Sequence, residues 1–148
     1  MGAAAGAVGT VALNATTYAD MALRARSGSS VPAEVAGKLA ERADLDLGEE
    51  EAAQNRKSGL GALMGYANGL GVGAAYGILR PAFGRDVSVT KAGVVLTHAA
   101  MAGTDVPIAA TGASDPATWP LSSWAMDFGF HLAYGLATAA AYEAFAAP

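Results

Sequence analysis

The sequence has no cysteine and few charged residues. The absence of cysteine excludes a disulfide framework, a zinc site built on thiolates and a cysteine nucleophile. Charged side chains make up 15% of the 148 residues, whereas an ordinary soluble domain carries about 25%. The formal net charge is −4, and a protein that binds nucleic acid needs a basic surface to attract phosphate. We therefore expect no nucleic-acid partner.

Small side chains dominate what is present. Alanine accounts for 37 residues and glycine for 19, whereas valine, leucine and isoleucine together supply only 25. Alanine favours helices, and alanine-rich runs lack the alternation of β-branched residues that is typical of strands. The composition therefore predicts an all-α protein.

Charge is distributed in blocks along the chain. It is concentrated in residues 24–57 and absent from 1–19, 58–79 and 92–104. Such alternation is typical of membrane spans separated by aqueous loops, and about 20 residues of helix cross a bilayer core. We predict an integral membrane four-helix bundle, with residues 1–148 as a single transmembrane domain and 24–57 as an extramembrane loop. The predicted spans are residues 2–23, 58–79, 89–110 and 121–145.

The competing interpretation is an alanine-rich helical bundle in water, which the mean hydropathy of only +0.30 favours. However, a long helix at an aqueous surface needs a charged outer face, and residues 58–79 have none. We therefore predict a multi-pass membrane protein. The loop at 24–57 carries six lysines and arginines, which places both termini outside the cell under the positive-inside rule. The next loop carries three, namely Arg80, Arg85 and Lys91.

The charged loop contains a helical pattern of its own. Pro32 suits a first helical turn. Around it, apolar residues recur every four positions, at Val31, Val35, Leu39 and Ala43. This pattern predicts an amphipathic helix that lies at the membrane interface or caps the bundle, with a solvated helical arm as the alternative. The acidic run at 49–51 suits the N-terminal end of a helix that continues into 58–79.

The most specific pattern is a glycine repeat within residues 58–79. Glycine recurs at four-residue intervals, at Gly61, Gly65, Gly69, Gly73 and Gly77. On a helix these positions form one groove, and such a groove lets a second helix approach closely enough for backbone contact. The repeat therefore predicts helix packing, either within the chain or against a second copy. In this register, Gly69→Leu is expected to disrupt packing more than Gly71→Leu.

Polar residues form stripes along the predicted helices. Asp127 and His131 are four residues apart and share a face with Trp124, Tyr134 and Thr138. The Asp–His pair fits a structural clasp between helices, a site that handles protons or ions, or two ligands of a metal. The sequence leaves these alternatives open. The candidate polar core or ion site consists of Asn14, Asn68, His98, Asp105, Asp127, His131 and Tyr134.

No motif of an established catalytic or cofactor site is present in the sequence. The chain has no P-loop, nucleophile elbow, dinucleotide-binding fingerprint or H-E-x-x-H zinc motif. We therefore assign no catalytic residues and expect no cofactor. The sequence favours a role other than enzymatic catalysis.

Two segments resemble known families. The stretch from Gly9 to Glu34, which includes Thr17-Tyr18-Ala19-Asp20-Met21, resembles small uncharacterised membrane proteins of high-GC actinobacteria. The run Trp124-x-x-Asp127-x-x-x-His131-x-x-Tyr134-Gly135 is distantly similar to the last helix of YagU-like inner-membrane proteins. The resemblance implies a four-helix, multi-pass integral protein of the bacterial inner (plasma) membrane. These families define no catalytic residues that can be carried over.

Two functions follow from these patterns. The first is an interaction or accessory protein, or a self-associating module, that packs through the glycine-rich helix. Its partners would be membrane lipid, a second copy of the chain or another membrane protein. The alternative is a small transporter or channel for protons or cations that uses Asp127, His131 and His98.

Overall fold

The computed structural model describes residues 1–83 and 87–147, so Arg85 lies outside the described residues. Within them every regular element is helical, which confirms the all-α prediction. The α-helices are α1 (Gly2–Arg24), α2 (Val31–Arg42), α3 (Glu50–Leu79), α4 (Val89–Thr111) and α5 (Leu121–Ala146). Short 3₁₀ turns follow α3 at Arg80–Phe83 and precede α5 at Pro116–Thr118.

The four long helices pack around a common core. Helix α5 packs against both α1 and α4, and α3 packs mainly against α1, whereas the contact between α3 and α4 is sparser. Gly2 at the start of α1 lies against Gly77 near the end of α3, so these two helices run in opposite directions. The largest cluster of buried side chains is contributed by α3, α4 and α5. Its members are Tyr76, Ala92, Leu96, Ala100, Tyr134 and Ala139.

The predicted inner-membrane localisation is wrong. Among the described residues, none of the helices combines the length and the apolarity that crossing a bilayer requires. Length is sufficient, since α3 has 30 residues and α5 has 26. The hydropathy of the helices is too low, because alanine and glycine contribute little to it. In addition, the first turns of α3, between Glu50 and Lys57, are charged. The predicted spans coincide with α1, α4, α5 and the later part of α3, as helices of a bundle.

Helix α2 occupies the charged loop and packs on α3. Its buried face is displaced from the predicted stripe, since Leu39 is exposed. The displacement follows from contact with Gly61 of α3, where the backbone of Pro32 and Ala33 lies against the glycine. A Cβ on Gly61 would lie only 2.7 Å from the carbonyl carbon of Pro32. The side chains that α2 buries are Ala33, Val35, Ala36 and Ala40.

Glycines bring α1 and α3 into backbone contact. A Cβ built on Gly73 would lie 2.5 Å from the Cα of Gly6, and one built on Gly77 would lie 2.7 Å from the Cα of Gly2. Side chains larger than hydrogen do not fit at these distances without a shift of one helix. Close packing of this kind gains many weak dispersion contacts along the two helices. The glycine face of α3 is therefore occupied within the chain at Gly73 and Gly77.

The glycine repeat of α3 is not used evenly. Four of its members have neighbours within 4 Å of a built Cβ, namely Gly61, Gly69, Gly73 and Gly77. The fifth, Gly65, has none among the described residues, and the same holds for Gly71, which lies outside the repeat. Different elements cover the four occupied positions, because α2 covers Gly61 whereas α1 covers Gly69, Gly73 and Gly77. The repeat therefore serves more than one neighbour.

A second glycine contact joins α4 to α5. Gly135 lies against the carbonyl oxygen of Gly93, and a Cβ built on it would be 2.8 Å from the backbone nitrogen of Thr97. On the other side of α5, Gly9 of α1 lies against Tyr134 and Thr138. Small residues thus set the approach of α5 to both of its main neighbours.

Alanine substitutions on α3 separate the effect of the repeat from that of the observed contacts. Gly73→Ala is expected to destabilise the fold by about 1–3 kcal/mol, because the new methyl group meets the backbone of Gly6. Gly65→Ala and Gly71→Ala are expected to stabilise it by up to about 1 kcal/mol, since alanine is the better helix former and the space beside them is open. Chemical denaturation measures all three. Equal destabilisation at 65 and 73 would contradict the observed packing.

Candidate functional site

The predicted polar core does not form one group. Asp127 and His131 contact each other on α5, and Asp105 of α4 interacts electrostatically with both. Asn68 and Tyr134 instead donate hydrogen bonds to backbone carbonyl groups of neighbouring helices. The ionisable residues of the candidate site are therefore concentrated in the first three side chains, which we call the acid–histidine cluster.

Asp127 and His131 contact each other along α5. His131 is only 7% exposed. Its Nδ1 lies 3.2 Å from Oδ1 of Asp127 and 2.9 Å from the backbone carbonyl oxygen of the same residue. The helix provides this arrangement because residues four apart stack on one face. The other carboxylate oxygen of Asp127, Oδ2, is buried and has no hydrogen-bond partner among the described residues.

Asp105 of α4 supplies a second carboxylate. Burial raises the pKa of Asp105, and the charge of Asp127 raises it further, against the opposing effects of His131 and Thr104. Burial alone would lower the pKa of His131. The hydrogen bond to Asp127 and the charges of both carboxylates outweigh that effect, so the pKa of His131 lies above its ordinary value of 6.5. The cluster therefore favours a protonated imidazole beside Asp127.

The end of α1 lies beside the same part of α5. Nη1 of Arg24 is 3.3 Å from the sulfur of Met126, and the guanidinium carbon of Arg26 is 5.6 Å from the centre of the Phe130 ring. Both arginines pair with Asp20. The hydrogen bond from Arg26 is the largest effect on the carboxyl of Asp20 and lowers its pKa. Arg24 at the end of α1 and Arg26 just after it are therefore paired with a carboxylate of that helix.

Asn68 and Tyr134 fasten three helices together through backbone carbonyl groups. Nδ2 of Asn68 on α3 donates to the carbonyl oxygen of Ala100 on α4 at 2.9 Å. The hydroxyl of Tyr134 on α5 donates to the carbonyl oxygen of Gly69 on α3 at 2.6 Å. Gly103 lies directly against the Asn68 amide and leaves the space for it. Both residues thus act as cross-links between helices. Burial also raises the pKa of the Tyr134 hydroxyl.

The remaining two candidates lie apart from the cluster. His98 is exposed on α4, where its Nδ1 lies 2.8 Å from the carbonyl oxygen of Val94. Its ring packs edge-on against Phe128, with the centroids 5.8 Å apart. Asn14 is half-buried on α1. Transport of protons or cations along a path through all of these residues stays a prediction.

Two packing features escape sequence reasoning. Arg80 pairs with Glu143 at 2.9 Å and ties the end of α3 to the end of α5, but a separation of 63 positions leaves no spacing signal. The second is Thr97, which is fully buried on α4. A signal for the contact between α1 and α3 was available, because Gly2 and Gly6 repeat the four-residue spacing of α3.

Neither a metal site nor a ligand preference is evident elsewhere among the described residues. In residues 1–83 and 87–147, no group of three or more His, Asp or Glu side chains is placed to hold a metal ion. A cleft of about 680 Å³ lies between α2, the loop that follows it and the start of α3. Its lining mixes four carboxylates with Lys38 and Lys57. Such a mixed lining favours neither an anionic nor a cationic ligand.

Comparison with known proteins identifies no relative: no family model, curated protein or solved structure matches the chain. The resemblance to actinobacterial and YagU-like membrane proteins therefore stays a prediction that no comparison supports. What the chain does must be inferred from its own geometry.

Removal of the Tyr134 hydroxyl tests the cross-link between α5 and α3. Tyr134→Phe is expected to lower the free energy of unfolding by about 1–1.5 kcal/mol, because a buried hydrogen bond to Gly69 is lost. Tyr142→Phe is the matched control, since its hydroxyl is 3.5 Å from the carbonyl oxygen of Gly77, too far for a strong bond. Denaturant titration compares the two variants. A loss at Tyr142 equal to that at Tyr134 would contradict this assignment.

Proposed function

We propose that the protein is an association module that pairs with a second copy of itself through the outward side of α3. The supporting observation is the exposure of large apolar side chains there: Leu63 is 64% exposed and Ile78 is 78% exposed. We call this surface the α3 outer face. Its large members are Leu60, Leu63, Tyr66, Leu70 and Ile78.

The α3 outer face carries no formal charge. Residues 58–79 contain no Asp, Glu, Lys or Arg, whereas a helix at a permanently wet surface has a charged side. Contiguous exposed apolar surface of this kind marks an interaction site more often than chance exposure does. Burial of the outer face against a partner would gain the free energy of removing these side chains from water.

A second copy of the chain is the partner that suits this surface. A two-fold pair places the same patch of both copies in contact, so two identical apolar faces leave the water together. The outer face offers no charge that would select an oppositely charged protein. The contacts of α3 with α1 at Gly73 and Gly77 leave the side chains of the outer face exposed, so pairing does not require the bundle to open.

Matched lysine substitutions test this proposal. Leu63→Lys places a charge in the outer face and is expected to weaken self-association at least about tenfold, because a charge buried in an apolar contact is costly. Val95→Lys is the control, since Val95 is 67% exposed on α4 and its substitution adds the same charge elsewhere. We expect it to leave the dissociation constant within about twofold of the wild type.

Sedimentation equilibrium over a range of protein concentrations measures the association. The proposal is supported if the wild type and Val95→Lys dimerise and Leu63→Lys does not. A wild-type chain that remains monomeric at about 100 μM would overturn it, since specific pairing is tighter than that. A monomer that binds phospholipid vesicles through the same face, and loses that binding in Leu63→Lys, would equally overturn it.

A further inference from the structure

The acid–histidine cluster has a feature that packing alone does not explain. Oδ2 of Asp127 is buried without a hydrogen-bond partner among the described residues, and an unpartnered buried carboxylate oxygen is costly. A positive charge on His131, 3.2 Å from the other oxygen of the same carboxylate, offsets that cost. Loss of the charge would leave Asp127 and Asp105 facing a neutral ring.

We propose that His131, Asp127 and Asp105 form a proton-binding site that strengthens the contact between α4 and α5 when His131 is charged and weakens it when His131 is neutral. The site spans that contact, because His131 and Asp127 belong to α5 and Asp105 belongs to α4. Asp105 and Asp127 interact electrostatically across this contact, and two negative charges repel more strongly once the positive charge on His131 is removed. The proton therefore acts as the link between the two helices.

The other charged groups near α5 are paired with partners outside the acid–histidine cluster or lie away from it. On α1, Asp20 pairs with Arg24 and Arg26 beside Met126 and Phe130. Helix α3 meets α5 around Gly69 and Gly77, within its charge-free stretch. At the far end of α5, Glu143 pairs with Arg80. On α4, His98 lies on the exposed side against Phe128.

The pKa shifts of His131 and Asp105 determine how the stability of the fold changes with pH. The pKa of His131 is raised above 6.5, so its contribution to stability is complete below pH 6.5 and is lost as pH rises through the folded-state pKa. The pKa of Asp105 is raised above 3.8, so its ionisation also costs stability as pH rises from that value. Both groups therefore predict a contact that weakens with rising pH, with the His131 part lying above pH 6.5.

Thermal unfolding between pH 6 and pH 9 tests the proposal. In this range histidine is the side chain that titrates at its ordinary pKa, and the chain has only His98 and His131. We expect the wild-type melting temperature to fall by about 3 °C or more across the range. His131→Gln should remove most of that fall, whereas His98→Gln, the matched control, should retain it. Equal slopes in the wild type and His131→Gln would overturn the proposal.

A site-specific titration keeps the test independent of whether His131→Gln folds. The imidazole carbon and proton signals of His131 report its pKa directly by NMR in the wild type and in Asp127→Asn. We expect the wild-type midpoint above pH 6.5 and a decrease of about one pH unit or more in Asp127→Asn, because the opposite charge is lost. A wild-type midpoint at or below 6.5, or no change in Asp127→Asn, would overturn the proposal. Self-association through α3 is measured separately and does not affect this outcome.

Discussion

The backbone contact between Gly6 and Gly73 is the constraint on which the rest of the bundle depends. It fixes the distance between α1 and α3 at a value that no larger residue allows. Where α1 packs on α3, Gly9 of α1 lies against Tyr134 and Thr138 of α5. Tyr134 can then reach the carbonyl oxygen of Gly69. Gly9 and Gly69 both lie against the Tyr134 ring, so the glycines leave the space in which the cross-link forms.

Sequence reasoning predicted the helical class and the positions of the long helices, because alanine content and charge distribution act locally. The predicted membrane environment is wrong, because the absence of charge in residues 58–79 does not by itself make a helix hydrophobic enough to cross a bilayer. Glycine and alanine carry no charge and also little hydropathy. The glycine repeat likewise indicated which face of α3 is packed, but not which helix packs against it. Gly65 and Gly73 are equivalent in spacing, and only the fold determines that Gly73 meets α1 while Gly65 meets open space.

The candidate site was predicted to the extent that it lies within one helix. The contact of Asp127 with His131 follows from a four-residue spacing. Asp105 joins them through tertiary packing, which spacing cannot specify. His98 was expected to face inward, but α4 presents Gly93, Thr97 and Ala100 to the interior instead. The physical reason is that Gly93 allows α5 to approach at Gly135. Close approach of small residues decides the rotation of α4, and the histidine is left outside.

The glycines that have no neighbour are the part of α3 that a single chain leaves unexplained. A glycine inside a helix costs up to about 1 kcal/mol relative to alanine, and at Gly73 the contact with α1 offsets that cost. At Gly59, Gly65 and Gly71 nothing among the described residues lies within 4 Å of a built Cβ, so folding of one copy gains nothing from them. Large apolar side chains are exposed along the same helix. Gly71 lies on the same side of α3 as Ile78, seven residues further on. Both costs decrease there if another helix packs against that side from outside, since Gly71 then allows the approach and Ile78 is covered by it.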